Sequence, residues 1–311
     1  MLFEKQIVNA FKAMMHTRCD DMETVFYFSN EDFPGLQKES YPFESSQGHK
    51  LQGYIYYYDN PISKRLVVFD HGFGGGHRAY MKEIEMLCKK GYTVLAYDHT
   101  GCMESGGKSP NGLAQSLCDL NDCISTVKAD SKFHEYDISV MGHSWGAFST
   151  LNIPSLHPEI SHIVAISGFV SVEEIIGTFF PGILKGYRKP VLALQAESNP
   201  EFSQFNAVKS LSDSDVKALL IYSEDDKLCR RIHYDILKAG LGHKENISYI
   251  LVNGKGHNPN YTEEAVKLLA KFGKARAKLL KKKNATREEK KELLASFDFD
   301  KMTEQDSAVW K

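Results

Sequence analysis

The sequence places a serine between two glycines where the chain changes character. Gly142, Ser144 and Gly146 form a G-x-S-x-G pattern that follows an apolar run at 138–141 and precedes helix-forming residues. In a strand-turn-helix arrangement this pattern lifts the serine hydroxyl onto a tight corner, where side chains at the glycine positions would collide with the strand and the helix. The positive end of the following helix would lie beneath the hydroxyl. The pattern predicts that Ser144 is a nucleophile rather than an idle serine in a surface turn.

A nucleophilic serine needs a base, and the sequence offers His257. This residue lies in the loop NGKGHNPNY, after an apolar run at 247–252 and before a helix predicted to begin near Thr262. A histidine beyond the carboxyl end of a strand can reach the edge of an open α/β sheet, where the sites of such sheets lie. His143 is closer in sequence, but we expect its side chain to point away from the serine hydroxyl. We therefore assign a packing role in the turn to His143.

An acid must orient the base, and its expected position lies between the serine and the histidine in sequence. The apolar run at 218–222 is followed by SEDDKLC, which supplies Glu224, Asp225 and Asp226. A turn of three residues beyond the strand would direct Asp226 toward His257. A shift of the loop by one residue would exchange the two aspartates, so Asp225 stays the alternative. The predicted triad is Ser144, Asp226 and His257.

Donors for a developing oxyanion are expected in the glycine-rich turn HGFGGG at 71–76, which follows the run LVVFD. We assign the oxyanion hole to the backbone N–H groups of Phe73 and Trp145. The turn lacks the GK[ST] of a phosphate loop, and His77 stands where a dinucleotide-binding loop has its third glycine. We expect His71 to form structural hydrogen bonds rather than to act as a base.

A regular alternation of apolar runs and helical segments positions these residues. A short amphipathic helix is predicted at 5–16, and GYIYYYDN at 53–60 has the alternation of a half-exposed strand. The later runs are apolar on both faces, which predicts a mostly parallel sheet with helices on both sides. The predicted strands of this kind are 66–69, 92–97, 138–141, 162–166, 218–222 and 247–252.

The alternation stops between 171 and 212, where short apolar helices are broken by prolines and glycine. An excursion of about 40 residues inside a tight alternation is more typical of a lid than of a loop. Its apolar side chains suit an acyl pocket, for which Phe179, Phe180 and Leu184 are the candidates. We divide the chain into a first core part, a lid, a second core part and a helical tail, at 1–170, 171–212, 213–282 and 283–311.

The chain becomes strongly basic near its C-terminal end. Residues 271–291 hold ten Lys or Arg and two Glu. The segment could bind an anionic partner, but apolar residues recur at helical spacing through 268–280, which favours a solvated amphipathic helix. Thr286 and Glu289 have the spacing of a capping box and predict a further helix.

Composition narrows the class of function. With 311 residues and 42% apolar residues the chain can bury a large core, and its net charge of −2 gives no general case for nucleic acid. Six cysteines lack the spacing of a metal site, which indicates reduced, mostly buried thiols and a cytoplasmic location. We find neither a secretory signal nor an apolar run of about 18 residues. No metal or organic cofactor is expected, and a homodimer stays open.

The order of these motifs resembles the α/β-hydrolase superfamily. HGFGGG, YDHTGCMESGG, GHSWG, SEDD and GKGH follow one another as they do in that superfamily, over roughly residues 40–282. The position of the lid is similar to the branch of serine aminopeptidases, monoacylglycerol lipases and small bacterial esterases. That family usually reads D-x-R-G-x-G-x-S in the segment that matches residues 98–107, and here Thr100 stands in place of the arginine, whereas Gly101, Ser105 and Gly106 keep the outline of the pattern. The departure bears on the shape of the pocket rather than on the triad.

The resemblance implies an α/β-hydrolase fold with a small helical lid inserted after the sixth strand. It also implies a serine hydrolase that forms an acyl-enzyme, and the apolar lid favours small to medium acyl esters as small-molecule substrates. The alternatives are an aminopeptidase or acyl-peptide hydrolase, and a lipase or thioesterase of the same fold. A catalytically silent binding protein, with the basic tail contacting an anionic partner, is the remaining alternative.

Overall fold

The protein is built on a central β-sheet surrounded by helices. The computed structural model describes residues 3–20, 23–59, 61–62 and 64–310. Its strands are β1 (Gln37–Ser40), β2 (Phe43–Glu44), β3 (Lys50–Leu51), β4 (Gly53–Tyr57), β5 (Arg65–Asp70), β6 (Thr93–Tyr97), β7 (Asp137–His143), β8 (His162–Ile166), β9 (Lys217–Ser223) and β10 (Ile247–Val252). Its α-helices are α1 (Glu4–Met15), α2 (Met81–Lys89), α3 (Gln115–Ala129), α4 (Trp145–Asn152), α5 (Val172–Phe179), α6 (Arg188–Ser198), α7 (Ala207–Ser212), α8 (Ile232–Leu241), α9 (Glu263–Leu280), α10 (Arg287–Ala295) and α11 (Phe299–Met302).

The main sheet has eight strands in the order β1-β4-β6-β5-β7-β8-β9-β10, and β2 pairs separately with β3. β4 runs antiparallel to both of its neighbours, whereas the strands from β6 to β10 are parallel. Leu66 and Val68 of β5 lie in one apolar cluster, and Val67 and Phe69 lie in the other. Both faces of the sheet are therefore buried, which explains why the runs are apolar without alternation.

The α/β-hydrolase fold predicted from the sequence is confirmed. Each predicted parallel strand matches an observed one to within two residues at either end. The predicted half-exposed strand corresponds to β4, and Asn60, at its predicted end, lies outside the described residues. β1 was not predicted, because all four of its residues are exposed and carry no apolar pattern.

The segment between β8 and β9 is helical and contains α5, α6 and α7. β8 is the sixth strand of the main sheet in chain order. The two ends of the segment are tied together, because Ser171 pairs with Asn206 and the Ala207 amide donates to the Val170 carbonyl at 2.9 Å. α6 also packs against α1, so the N-terminal helix adjoins this segment.

The C-terminal part wraps back onto the body of the protein. α9 begins after the cap residue Thr262 and buries Ala265, Phe272 and Leu279, which recur every seventh residue as expected for an amphipathic helix. The capping box predicted at Thr286 begins α10. Within the described ranges, no helix is long and apolar enough to cross a bilayer.

Candidate active site

Ser144 occupies a sharp corner between β7 and α4. Its backbone has φ 56° and ψ −110°, a conformation that residues with a Cβ rarely adopt. A Cβ at Gly142 would lie 2.4 Å from the Gly146 carbonyl oxygen, and a Cβ at Gly146 would lie 2.1 Å from the Asp70 carbonyl oxygen. Both glycines are therefore required by backbone contacts, and the corner has the geometry of a nucleophile elbow.

His257 and Asp226 form a close pair at the carboxyl edge of the sheet. Nδ1 of His257 lies 2.7 Å from Oδ2 of Asp226. The other carboxylate oxygen, Oδ1, accepts the backbone N–H groups of Leu228 at 2.8 Å and Cys229 at 3.1 Å. The buried carboxylate is thus fixed with one oxygen directed at the histidine, while the imidazole remains 19% exposed.

Asp225, the alternative acid, has a different set of partners. Its Oδ1 accepts hydrogen bonds from the Ser223 hydroxyl at 2.6 Å and from the amides of Gly254 and Gly256 at 3.0 and 3.1 Å. The hydroxyl and these amides lower the pKa of Asp225. Asp225 therefore anchors the loop that carries His257.

The C-terminal segment holds the same loop from its outer side. The Lys255 ammonium, only 7% exposed, lies 2.9 Å from Oδ2 of Asp306. The Thr262 amide donates to the Glu304 carbonyl at 2.9 Å, and the Asp306 amide donates to the Asn260 carbonyl at 2.7 Å. The histidine loop is therefore clamped between the end of β9 and residues 304–306.

His143, adjacent to Ser144, is buried in a chain of hydrogen bonds. Its Nε2 lies 2.8 Å from the His257 carbonyl oxygen, and its Nδ1 lies 2.8 Å from the Tyr80 hydroxyl. A carbonyl only accepts, so Nε2 carries the proton and Nδ1 accepts from Tyr80. Tyr80 in turn accepts the Gly72 amide at 3.1 Å. Burial lowers the pKa of His143 to about 3, so the ring is neutral.

Phe73 and Trp145, the predicted oxyanion donors, lie side by side. Their rings meet edge to face with centroids 5.1 Å apart. Trp145 is the first residue of α4, a position whose N–H has no acceptor within the helix. Its indole Nε1 donates to the Leu113 carbonyl at 2.7 Å, which fixes the ring.

A buried charged cluster lies beneath the elbow. Nε2 of His99 is 2.7 Å from Oδ1 of Asp70, and its Nδ1 is 3.1 Å from Oδ2 of Asp119. Burial alone would lower the pKa of His99, but the two carboxylates raise it to about 10. The imidazolium packs 4.6 Å from the Trp145 ring, between centroids. In the structure, His99 supports the corner that carries Ser144 through its contacts with Trp145 and Asp70.

His71 has structural partners. Its Nε2 accepts the His99 backbone amide at 3.0 Å, and its Nδ1 lies 2.8 Å from the Gly72 carbonyl oxygen. Burial lowers the pKa of His71 to about 3. The neutral ring therefore links the glycine-rich turn at 71–76 to the loop that follows β6.

The three predicted lid residues occupy different environments. Phe180 packs against Phe11 of α1, with ring centroids 6.2 Å apart, whereas Phe179 and Leu184 are 37% and 38% exposed. The hydrogen-bonded link from this segment to the elbow runs through Gln195 of α6. Its Oε1 accepts the Leu113 amide at 2.7 Å, and the Leu113 carbonyl accepts the Trp145 indole.

Sequence reasoning missed Cys229, which lies beside Ser144. The neighbouring Ser144 hydroxyl lowers the pKa of the Cys229 thiol, but burial is the larger effect and holds that pKa well above its usual range. Cys229 therefore stays protonated and packs against the serine rather than competing with it. A buried cysteine three residues beyond an acid carries no signal in the sequence that would have identified it.

Relatives of known sequence align with parts of the chain. The uncharacterized protein YqkD of Bacillus subtilis is 27% identical over 128 residues, which is 41% of each chain. The putative carbamate hydrolase RutD of Pseudomonas syringae is 27% identical over 181 residues, covering 54% of this chain and 65% of that protein. The chain thus spans less than two thirds of the length of these curated relatives.

Among solved structures, the esterase Pf2001 of Pyrococcus furiosus superposes with a TM-score of 0.61 at 21% identity, over 91% of this chain and 99% of that one. This likeness shows the fold. The family described as serine aminopeptidase, S33, matches residues 61–248, a range that includes Ser144 and Asp226. The chain therefore belongs to the serine aminopeptidase S33 family of α/β-fold hydrolases.

Proposed function

We propose that the protein is a serine hydrolase that cleaves carboxylic esters with small to medium acyl groups. The observation that carries this proposal is the 2.7 Å contact between His257 Nδ1 and the buried Asp226 carboxylate, at the sheet edge where Ser144 occupies its corner. A carboxylate on Nδ1 leaves Nε2 of the imidazole free to accept a proton.

In the proposed mechanism, Ser144 attacks the acyl carbonyl while Nε2 of His257 accepts the hydroxyl proton. Asp226 holds the imidazole orientation and stabilises the imidazolium. The amides of Phe73 and Trp145 donate to the oxyanion of the tetrahedral intermediate. The imidazolium then protonates the leaving group. In the second half of the reaction His257 accepts a proton from water, the water oxygen attacks the acyl carbon, and the imidazolium returns the proton to the oxygen of Ser144.

We propose that residues 171–212 act as a lid over this site, between the two core parts. The tie between Ser171 and Asn206 supports this role, because it joins the two ends of a helical excursion from the sheet. The exposed side chains of Phe179 and Leu184 offer apolar surface to an acyl chain. Phe180 would couple that surface to α1 through Phe11.

Amide hydrolysis is the second candidate, because the matching family is described as serine aminopeptidase. The same triad serves both reactions, and only the leaving group differs. Aminoacyl p-nitroanilides measured beside p-nitrophenyl esters would distinguish them, since the preferred class has the higher kcat/KM.

We also propose a cytoplasmic location, which the six free thiols support. The basic segment at 271–291, which includes the end of α9 and the start of α10, is proposed to be solvated surface rather than a nucleic-acid site. Ion pairs support this, since Lys282 lies 2.9 Å from Glu289 and Lys290 lies 3.4 Å from Glu23.

The test is turnover of p-nitrophenyl esters from acetate to laurate, with fluorophosphonate labelling, for wild type and Ser144→Ala. We expect labelling to vanish and turnover to fall by about 10⁴-fold or more. Ser212→Ala, on the exposed face of α7, is the matched control and should behave as wild type. Full turnover in Ser144→Ala would refute the assignment, and absence of both signals in wild type would favour the binding-protein alternative.

A further inference from the structure

Two cysteines that are distant in sequence face each other beside the oxyanion turn. Cys19, in the segment after α1, forms a parallel β-bridge with Cys102. The Cys19 amide donates to the Gly101 carbonyl at 2.9 Å, and the Met103 amide donates to the Cys19 carbonyl at 2.9 Å. The two backbones are thus locked in register. Because paired residues of a β-bridge direct their side chains to the same side, the two thiols are neighbours.

The surroundings of Cys19 favour its thiolate. The Cys102 side chain, the Gly74 backbone N–H and the His99 ring all favour the charged form of the Cys19 sulfur, which also lies 3.9 Å from the Thr17 carbonyl oxygen. These interactions lower the pKa of Cys19, which is half-buried and so open to small solutes. In contrast, the pKa of each of the other cysteines is raised, and burial contributes in every case. These cysteines are Cys88, Cys102, Cys118, Cys123 and Cys229.

The spacing of the paired segments suits a disulfide. Neighbouring β-paired backbones lie about 4.8 Å apart. Disulfides join Cα atoms about 4.4–6.8 Å apart. A bond between Cys19 and Cys102 would therefore need little backbone movement.

We propose that Cys19 and Cys102 form an oxidative modification site that reacts with a hydroperoxide and closes to an intramolecular disulfide. Cys19 is the attacking thiol, and Cys102 is the resolving thiol. The proposal concerns the thiols alone and does not depend on ester hydrolysis.

The chemistry balances with hydrogen peroxide as the oxidant. The Cys19 thiolate attacks one peroxide oxygen, the O–O bond breaks, and the departing hydroxide takes a proton to become water. Cys19 is then a sulfenic acid. The Cys102 sulfur attacks the Cys19 sulfur, the S–O bond breaks, and the thiol proton leaves with the hydroxide as a second water. Two thiols have lost two electrons to one peroxide.

Disulfide formation would act on the neighbouring turn. Gly74 directly follows Phe73, and its backbone N–H is one of the groups that lower the pKa of Cys19. Oxidation gives a neutral disulfide sulfur, which is a weaker acceptor than a thiolate. The bond would also tie the segment after α1 covalently to the loop at 98–107.

The test treats the native full chain with hydrogen peroxide, blocks free thiols with N-ethylmaleimide, and maps tryptic peptides without reduction. Tryptic peptides 19–38 and 91–108 each contain a single cysteine, Cys19 and Cys102 respectively. We expect these peptides to be linked in wild type and in the control Cys88→Ala. They should not be linked in Cys19→Ser. In Cys102→Ala, dimedone should trap the sulfenic acid on Cys19.

A wild-type map without this link, or dimedone labelling of another cysteine before Cys19, would overturn the proposal. Labelling of native wild type by limiting N-ethylmaleimide needs no variant and therefore remains decisive if Cys102→Ala fails to fold. Cys19 should be the first thiol modified, and slower labelling of Cys19 than of the buried thiols would also contradict the proposal.

Discussion

Nε2 of His143 donates a hydrogen bond to the backbone carbonyl oxygen of His257, over 2.8 Å. Because Nδ1 of the same ring accepts from Tyr80, which accepts the Gly72 amide, one neutral imidazole connects the Ser144 corner, the loop that carries His257 and the glycine-rich turn at 71–76. These are the three parts that an acyl-transfer site must hold in a fixed relation. A residue that sequence reasoning treated as packing is therefore placed to align the whole site.

Tyr80→Phe tests this alignment. The change leaves the buried Gly72 amide and Nδ1 of His143 without their partner, which costs about 1–3 kcal/mol for a buried polar group. We expect kcat for p-nitrophenyl acetate to fall by roughly 10-fold with KM little changed. Tyr58→Phe is the control, because the Tyr58 hydroxyl donates to Glu85 on α2 and has no link to the site. Equal kcat in the two variants would argue against the role given to His143.

Asp226→Asn and Asp225→Asn separate the two acids. An amide at 226 would favour the wrong imidazole tautomer, and we expect a loss in kcat of about 10⁴-fold. At 225 the change weakens the anchor of the Gly254 and Gly256 amides, and a loss near 10-fold is expected. Steady-state kinetics on one ester decide the matter, and the reverse order of the two losses would move the triad acid to Asp225.

Gly146→Ala probes the packing of the elbow. Its Cβ would meet the Asp70 carbonyl oxygen at 2.1 Å, and because that atom belongs to the backbone of β5 it cannot rotate away. We expect the free energy of unfolding to fall by more than about 3 kcal/mol. Gly273→Ala in α9, where nothing lies within 4 Å, should instead stabilise the protein by about 0.5–1 kcal/mol. Urea unfolding of both variants would check this, and similar midpoints would show that the elbow tolerates a Cβ.

The His99 cluster predicts a pH dependence of stability. The pKa of His99 is about 10 in the folded protein, above the ordinary histidine value of about 6.5. The folded state therefore binds the proton more tightly, and this contribution to stability is complete below about pH 6.5 and is lost as pH rises toward 10. Urea unfolding from pH 6 to 10 should show stability falling with pH in wild type. The fall should be smaller in His99→Gln.

The comparison of wild type with His99→Gln removes the shared contributions of other groups. Buried thiols also titrate at high pH, and they are present in both proteins. If the difference in unfolding free energy between the two proteins stayed constant from pH 6 to 10, His99 would not be charged in the folded state.

The sequence predicted Ser144, Asp226 and His257 to lie near one edge of the sheet because each comes within five residues after an apolar run. The carboxyl ends of parallel strands share one edge of a sheet, so order in the sequence was enough to predict proximity. The fold could be predicted because the runs that form the strands from β5 to β9 are largely buried and apolar on both faces.

Other relationships left no trace in residue types. The partners of His143 lie 63 and 114 residues away in sequence, and one of them is a backbone carbonyl, which any residue supplies. The bridge between Cys19 and Cys102 depends on the path that the segment after α1 takes past the loop at 98–107. β1 is exposed throughout and is defined only by its pairing with β4.

The clamp formed by residues 304–306 on the histidine loop has a consequence for biosynthesis. Chains emerge from the N-terminal end, so the whole sheet and the serine corner are translated before this clamp. A nascent chain that has reached α9 contains the serine, the acid and the histidine, yet Lys255, Asn260 and Thr262 still lack their late partners. We therefore expect the site to mature only after translation has passed Asp306, later than the synthesis of Ser144, Asp226 and His257 themselves.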